Sequence, residues 1–181
     1  MNCLPTADAN VLSSLAELVL SDDRQLSRAA AGKLGQLEAV PASDSVRLGV
    51  WLAREETAAI IGWLGEQSDG VMTKDSSEGI EFLLERLDWL EEATAVDVAV
   101  RLLALGVSAS DGSLQKLVAR VRAMATKPDD TYEDVEAGDR DMYAVTKTVS
   151  HEEIRAEGRR LLAELSLTDH EQQLGFGDLG A

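Results

Sequence analysis

The chain is poor in the residues on which most protein chemistry depends. It has one cysteine, Cys3, and two histidines, His151 and His170, in 181 residues. A lone thiol closes no intrachain disulfide. Each histidine precedes a glutamate, as in the His-Glu-x-x-His zinc signature, but that signature needs a second imidazole one helical turn on. Arg155 and Leu174 stand there instead. A zinc deaminase would need a cysteine pair as well. A di-iron bundle would need glutamate three residues before each histidine, where Thr148 and Leu167 are found. The expectation is no metal, no cofactor and no catalytic residue.

Cations are also scarce. Lys and Arg number 17 against 33 Asp and Glu, a formal net charge of −16. Nucleic-acid binders displace counterions with clustered Lys and Arg, so direct DNA or RNA binding is not expected. No apolar run reaches the roughly 18 residues that span a bilayer. Even Val98 to Val107 carries Arg101. No basic segment followed by an apolar one opens the chain, which leads to the expectation of a cytoplasmic protein without membrane contact. Gly175-Phe176-Gly177-Asp178-Leu179-Gly180 has the spacing of a dinucleotide loop but has only Ala181 after it, where a helix is needed. It reads as a tail, 175–181, with Phe176 and Leu179 as a small docking motif at most.

Aromatics make up 4 % of the chain while hydrophobic residues make up 45 %. An aliphatic core of that kind suits helix-on-helix packing. Apolar residues recur at helical spacing in successive blocks. Val11, Leu12, Leu15, Leu18 and Val19 form one, and Leu26, Ala30, Leu34 and Leu37 form a second that Ser21-Asp22-Asp23 introduces and Pro41 should end. Ser43 caps a long third helix with Val46, Val50, Ala53, Ile60, Ile61 and Leu64 on its stripe. Asp75 and Glu78 have capping-box spacing ahead of Ile80, Leu83, Leu84, Leu87 and Leu90. Val96, Val98, Val100 and Leu102 alternate as in a strand, yet Ala95, Ala99, Leu103 and Ala104 fit a buried helix, which is the reading adopted. Gly106 stops that helix. Leu114, Leu117, Val118 and Val121 mark the next, and Ser150 with Glu153 opens the last. The expected fold is all-α, a helical bundle or short irregular array of helical hairpins, with one extended or short β segment near 142–149. The divisions are a helical core over 1–127, an acidic or extended connector over 128–149, and a C-terminal helix over 150–174.

The connector departs most from this pattern. Asp129, Asp130, Glu133, Asp134, Glu136, Asp139 and Asp141 face Arg140 alone between Pro128 and Asp141. No frame places oxygen ligands, a glycine and a terminal glutamate as a calcium loop requires. A solvated linker is the simpler reading. The alternative is a strap that covers the neighbouring helix, which carries Lys116, Arg120, Arg122 and Lys127 without a single acid, in the same chain or in a second copy. Beyond the acids, Tyr143, Val145, Lys147 and Val149 share one side of an extended segment, which resembles a strand in need of a partner. An extended connector lying on the bundle is the competing reading.

Among the large aromatics, Trp89 stands one position off the apolar stripe on the flank of Phe82, so both are candidates for a contact surface. Glu55 and Glu56 could do acid or base work only inside a pocket that raised one pKa. The functional expectation is therefore a non-catalytic adaptor, chaperone or regulatory subunit that binds a protein partner, basic or a second copy of itself. It would do so through helical faces and 128–149. The alternative is an acidic inhibitor or immunity-type protein occupying a basic or nucleic-acid-binding cleft, with Glu81, Glu85, Asp88, Glu91 and Glu92 along one flank.

Overall fold

A computed structural model describes residues 9–37, 43–137 and 142–175. Among these residues lie eight α-helices and one two-stranded antiparallel sheet, so the protein is an all-α array with a short β element. The helices are α1 (Ala9–Val19), α2 (Arg24–Gln36), α3 (Asp44–Ala53), α4 (Thr57–Asp69), α5 (Lys74–Glu85), α6 (Glu92–Ala104), α7 (Gly112–Ala125) and α8 (Glu152–Gly175). The strands β1 (Asp130–Ala137) and β2 (Met142–Val149) separate the last two helices. None of the described helices is long and apolar enough to cross a membrane. Pro41 and the tail beyond Gly175 lie outside the described residues.

Local chemistry explains most of the helix ends. Asp23 caps α2 by accepting from the N–H groups of Gln25 and Leu26, and Asp111 caps α7 through those of Ser113 and Leu114. Gly106 follows α6 at φ 89°, and the N–H groups of Gly106 and Val107 return to the carbonyls of Leu103 and Leu102 at 2.9 and 3.0 Å. That pair of bonds is a Schellman stop, which suits glycine because it has no Cβ.

Other boundaries differ from the sequence reading. The long third helix is two helices, broken at Glu55 in the left-handed region, φ 59°. The N–H groups of Glu55 and Glu56 bond the carbonyls of Leu52 and Trp51 at 3.2 and 2.9 Å, the same stop without a glycine. α5 is capped by Thr73, whose hydroxyl accepts from Ser76 N–H at 3.1 Å. Asp75 instead accepts from the backbone N–H of Asp44 at 3.2 Å, which ties α5 to α3. α5 also ends before Leu90, because a 3-10 turn over Leu87–Trp89 redirects the chain. In α6 the buried set is Ala95, Val96, Val98, Ala99, Leu102 and Leu103, one broad face of about 160° at 3.6 residues per turn. A face that wide takes in Val96, Val98 and Leu102 together, and Val100 packs half-buried beside it, so the sequence imitates a strand.

α3 is the hinge of the packing. Val46 and Val50 join Val19, Ala30, Ala31 and Leu34 in a small core with α1 and α2. Leu48 and Leu52 join the larger core that runs through α4, α5, α6, α7 and α8. Two glycines set how close helices approach. A Cβ on Gly49 would lie 2.5 Å from Val19 Cγ1, and one on Gly158 would lie 2.4 Å from the backbone nitrogen of Ala125. The second site fixes the α7–α8 crossing, where only backbone stands opposite.

Arg86 joins the two cores and was not singled out by its sequence context. It is 4 % exposed and lies 4.0 Å from the Phe82 ring centroid and 5.4 Å from that of Trp89. Its Nη2 donates to the Leu20 carbonyl at 2.8 Å and to Asp22 at 2.9 Å, holding the α1–α2 turn against α5. A delocalised guanidinium tolerates such stacking better than an ammonium would.

Candidate interaction site

Asp130 to Glu136 of the acidic stretch lie in β1. Its partner is β2, in a register running from Asp130 opposite Val149 to Ala137 opposite Met142. The segment expected as a linker is thus half of a hairpin, and the strand in need of a partner finds one in the same chain. The sequence carried the signal at 138–141, where Gly-Asp-Arg-Asp separates two runs containing Thr, Tyr and Val. The density of acid obscured it. Lys147 offsets part of that charge by donating to Asp134 at 2.6 Å.

The hairpin stands away from the helices. Eight residues per strand give an arm about 26 Å long. Among the described residues neither strand packs extensively against a helix, and the main contacts of each are with the other. Tyr132 and Val149 are 49 % and 46 % exposed, Glu133 is exposed, and Val145 is half-buried. Within the chain the described part of the acidic stretch does not lie over α7: Arg120 reaches the other way, to Glu92 at 2.7 Å and the Leu90 carbonyl at 3.3 Å.

A charged network holds the base of the arm. Asp129 Oδ1 accepts from the N–H of His151 at 3.0 Å and from Arg155 Nη1 at 2.6 Å. Arg155 also donates to the Lys127 carbonyl at 2.9 Å, and His151 Nδ1 lies 2.9 Å from the Pro128 carbonyl. His151 Nε2 is 3.5 Å from Asp130, whose side chain is 69 % exposed. Both ends of the hairpin are thereby tied to the start of α8. The His151 N–H, followed by the Arg155 guanidinium, holds the Asp129 carboxyl below its ordinary pKa. Arg159 and then Arg155 do the same for Glu152. Ser150 takes part by accepting from Glu152 N–H at 3.3 Å, one residue short of the expected capping box. His151 works here as an anchor at a helix start.

The remaining candidates divide. Glu136 and Tyr143 face each other in the register. Asp139 and Asp141 lie outside the described residues. Phe82 is 7 % exposed, which corrects its place among surface residues. α5 packs on α3 and also meets α7, so its buried face is wider than the leucine stripe and includes Phe82. Trp89 is half-buried and lines an open cleft of about 560 Å³ with Arg24, Leu52, Asp88, Glu91 and Arg120. Its carbonyl accepts from Arg24 at 2.7 Å. Glu55 pairs with Arg28, and Glu56 pairs with Arg54 at 3.1 Å, so both carboxylates are engaged by guanidiniums. Among the described residues no group of three His, Cys, Asp or Glu is placed to hold a metal ion. Comparison of the chain with protein-family models, with curated proteins and with solved structures finds no match.

Proposed function

We propose that this protein is a non-catalytic interaction module whose helical array serves as a mount and whose hairpin, 130–149, is the docking element. The observation that carries this reading is the arm itself. It is a two-stranded ribbon that, among the described residues, packs extensively on no helix, and it is fixed at its base by the Asp129, His151 and Arg155 network. An isolated ribbon is marginally stable in water, and its outer edges keep unpaired backbone donors and acceptors. Addition of a partner's strand satisfies those groups and stabilises the ribbon. An adaptor, chaperone or regulatory subunit would use it in this way.

The acidic-inhibitor reading draws support from Asp88 and Glu91, exposed beside Trp89 at the mouth of the cleft. Carboxylates there could oppose a basic surface. Co-purification from the native host separates the two. A chain with 130–149 replaced by a Gly-Ser link should lose a partner docked on the hairpin. A partner retained by that variant but released by added duplex DNA would refute the hairpin reading in favour of the inhibitor.

A further inference from the structure

The two strands of the arm differ in charge. β1 carries Asp130, Glu133, Asp134 and Glu136 with no cation, whereas Lys147 is the only charged residue of β2. Lys147 is already committed to Asp134 at 2.6 Å. Glu133 is exposed, and it makes no ion pair among the described residues. Resting on the hairpin reading above, we infer that the outer edge of β1 receives a lysine- or arginine-bearing extended segment of another protein, which adds as a third strand.

Three considerations select this occupant. Directly opposed opposite charges stabilise a ladder, and like charges destabilise it. An acidic edge therefore rejects its own copy, and the net charge of −16 opposes bringing two such chains together. Asp130 and Glu133 are three positions apart, on opposite faces of an alternating strand, so the matching segment carries cations on both of its faces. β2, with Val145, Thr146, Thr148 and Val149, lacks this selectivity and would accept a neutral strand equally well.

The test uses the full chain and a short synthetic peptide alternating lysine with valine and threonine, at about 0.15 M salt. Amide exchange should slow in 130–137 on binding and stay unchanged in the helices. A peptide of equal charge with two central prolines cannot pair along its length and should bind at least about tenfold more weakly. E133K should weaken binding of the lysine peptide severalfold and leave the melting temperature nearly unchanged. Equal affinity for the proline peptide would reduce the effect to bulk charge attraction and overturn the inference. Protection confined to 142–149, or preference for a glutamate peptide, would also overturn it while leaving the hairpin as the docking element. Undiminished peptide binding after replacement of 130–149 would remove the hairpin reading as well.

Discussion

The helical array and the hairpin solve the problem of burial in opposite ways. In the array the helices bury most of their apolar stripes against one another: Ile60, Leu64, Leu83, Leu102, Leu117 and Leu161 are at most 1 % exposed, although Val11, Leu18, Leu26 and Leu37, expected on the stripes of α1 and α2, remain 37–49 % exposed. The hairpin makes a full antiparallel register yet leaves Tyr132 and Val149 nearly half exposed. Hydrogen bonds define its shape, but little apolar area leaves water, and burial is the larger source of stability. The array therefore supplies stability, and the arm supplies accessible backbone. What the arm lacks in packing is met by charge at its base, where Asp129 and Arg155 bind it to α8.

Gly158→Ala gives the sharpest contrast. Its Cβ would meet the backbone of Ala125, so α7 and α8 must separate, at a cost of about 3 kcal/mol. Urea denaturation should show a lower midpoint. Arg86→Leu is next. It strands the Leu20 carbonyl and removes the stack on Phe82 and Trp89, and about 2 kcal/mol should be lost in the same experiment. Replacing 130–149 with a Gly-Ser link should change global stability by less than about 1 kcal/mol, because among the described residues neither strand packs extensively on a helix. A large loss there would break the comparison by making the arm part of the core.

Smaller effects sharpen the same division. Glu55→Gly relieves a left-handed backbone while losing an exposed pair with Arg28, for a net gain of about 0.5 kcal/mol by thermal denaturation. The last is local and depends on pH. The Asp129 carboxyl has a pKa depressed below 3.8 in the fold, so its contribution is complete above that value and disappears as pH falls through the lower folded one. Below about pH 4, amide exchange in the hairpin should accelerate before the helices respond. Simultaneous loosening of both would contradict the independence of arm and array.

Particular residues show where the sequence was readable. Asp23, Asp111 and Gly106 act within a few residues of themselves, so their roles as caps and stop follow from local chemistry. Glu55 carried no such mark: nothing in Arg54-Glu55-Glu56 demands a break, which forms because α3 and α4 must turn to bury both of their apolar faces. At the site, the strand at 142–149 was legible from its alternation, but its pairing with an acid-rich neighbour was not. A cross-strand partner such as Asp134 for Lys147 becomes apparent only once the register is known.

The sequence alone determined an aliphatic helical protein, strongly acidic, with a β-forming interruption before its last helix, because composition and short-range periodicity act along the chain. Tertiary structure decided that Phe82 is enclosed, that Arg86 bridges two cores, and that the acidic segment becomes an outward-pointing strand. Those outcomes depend on which surfaces meet across distant positions, and the energy of such a meeting is not stored in either partner by itself.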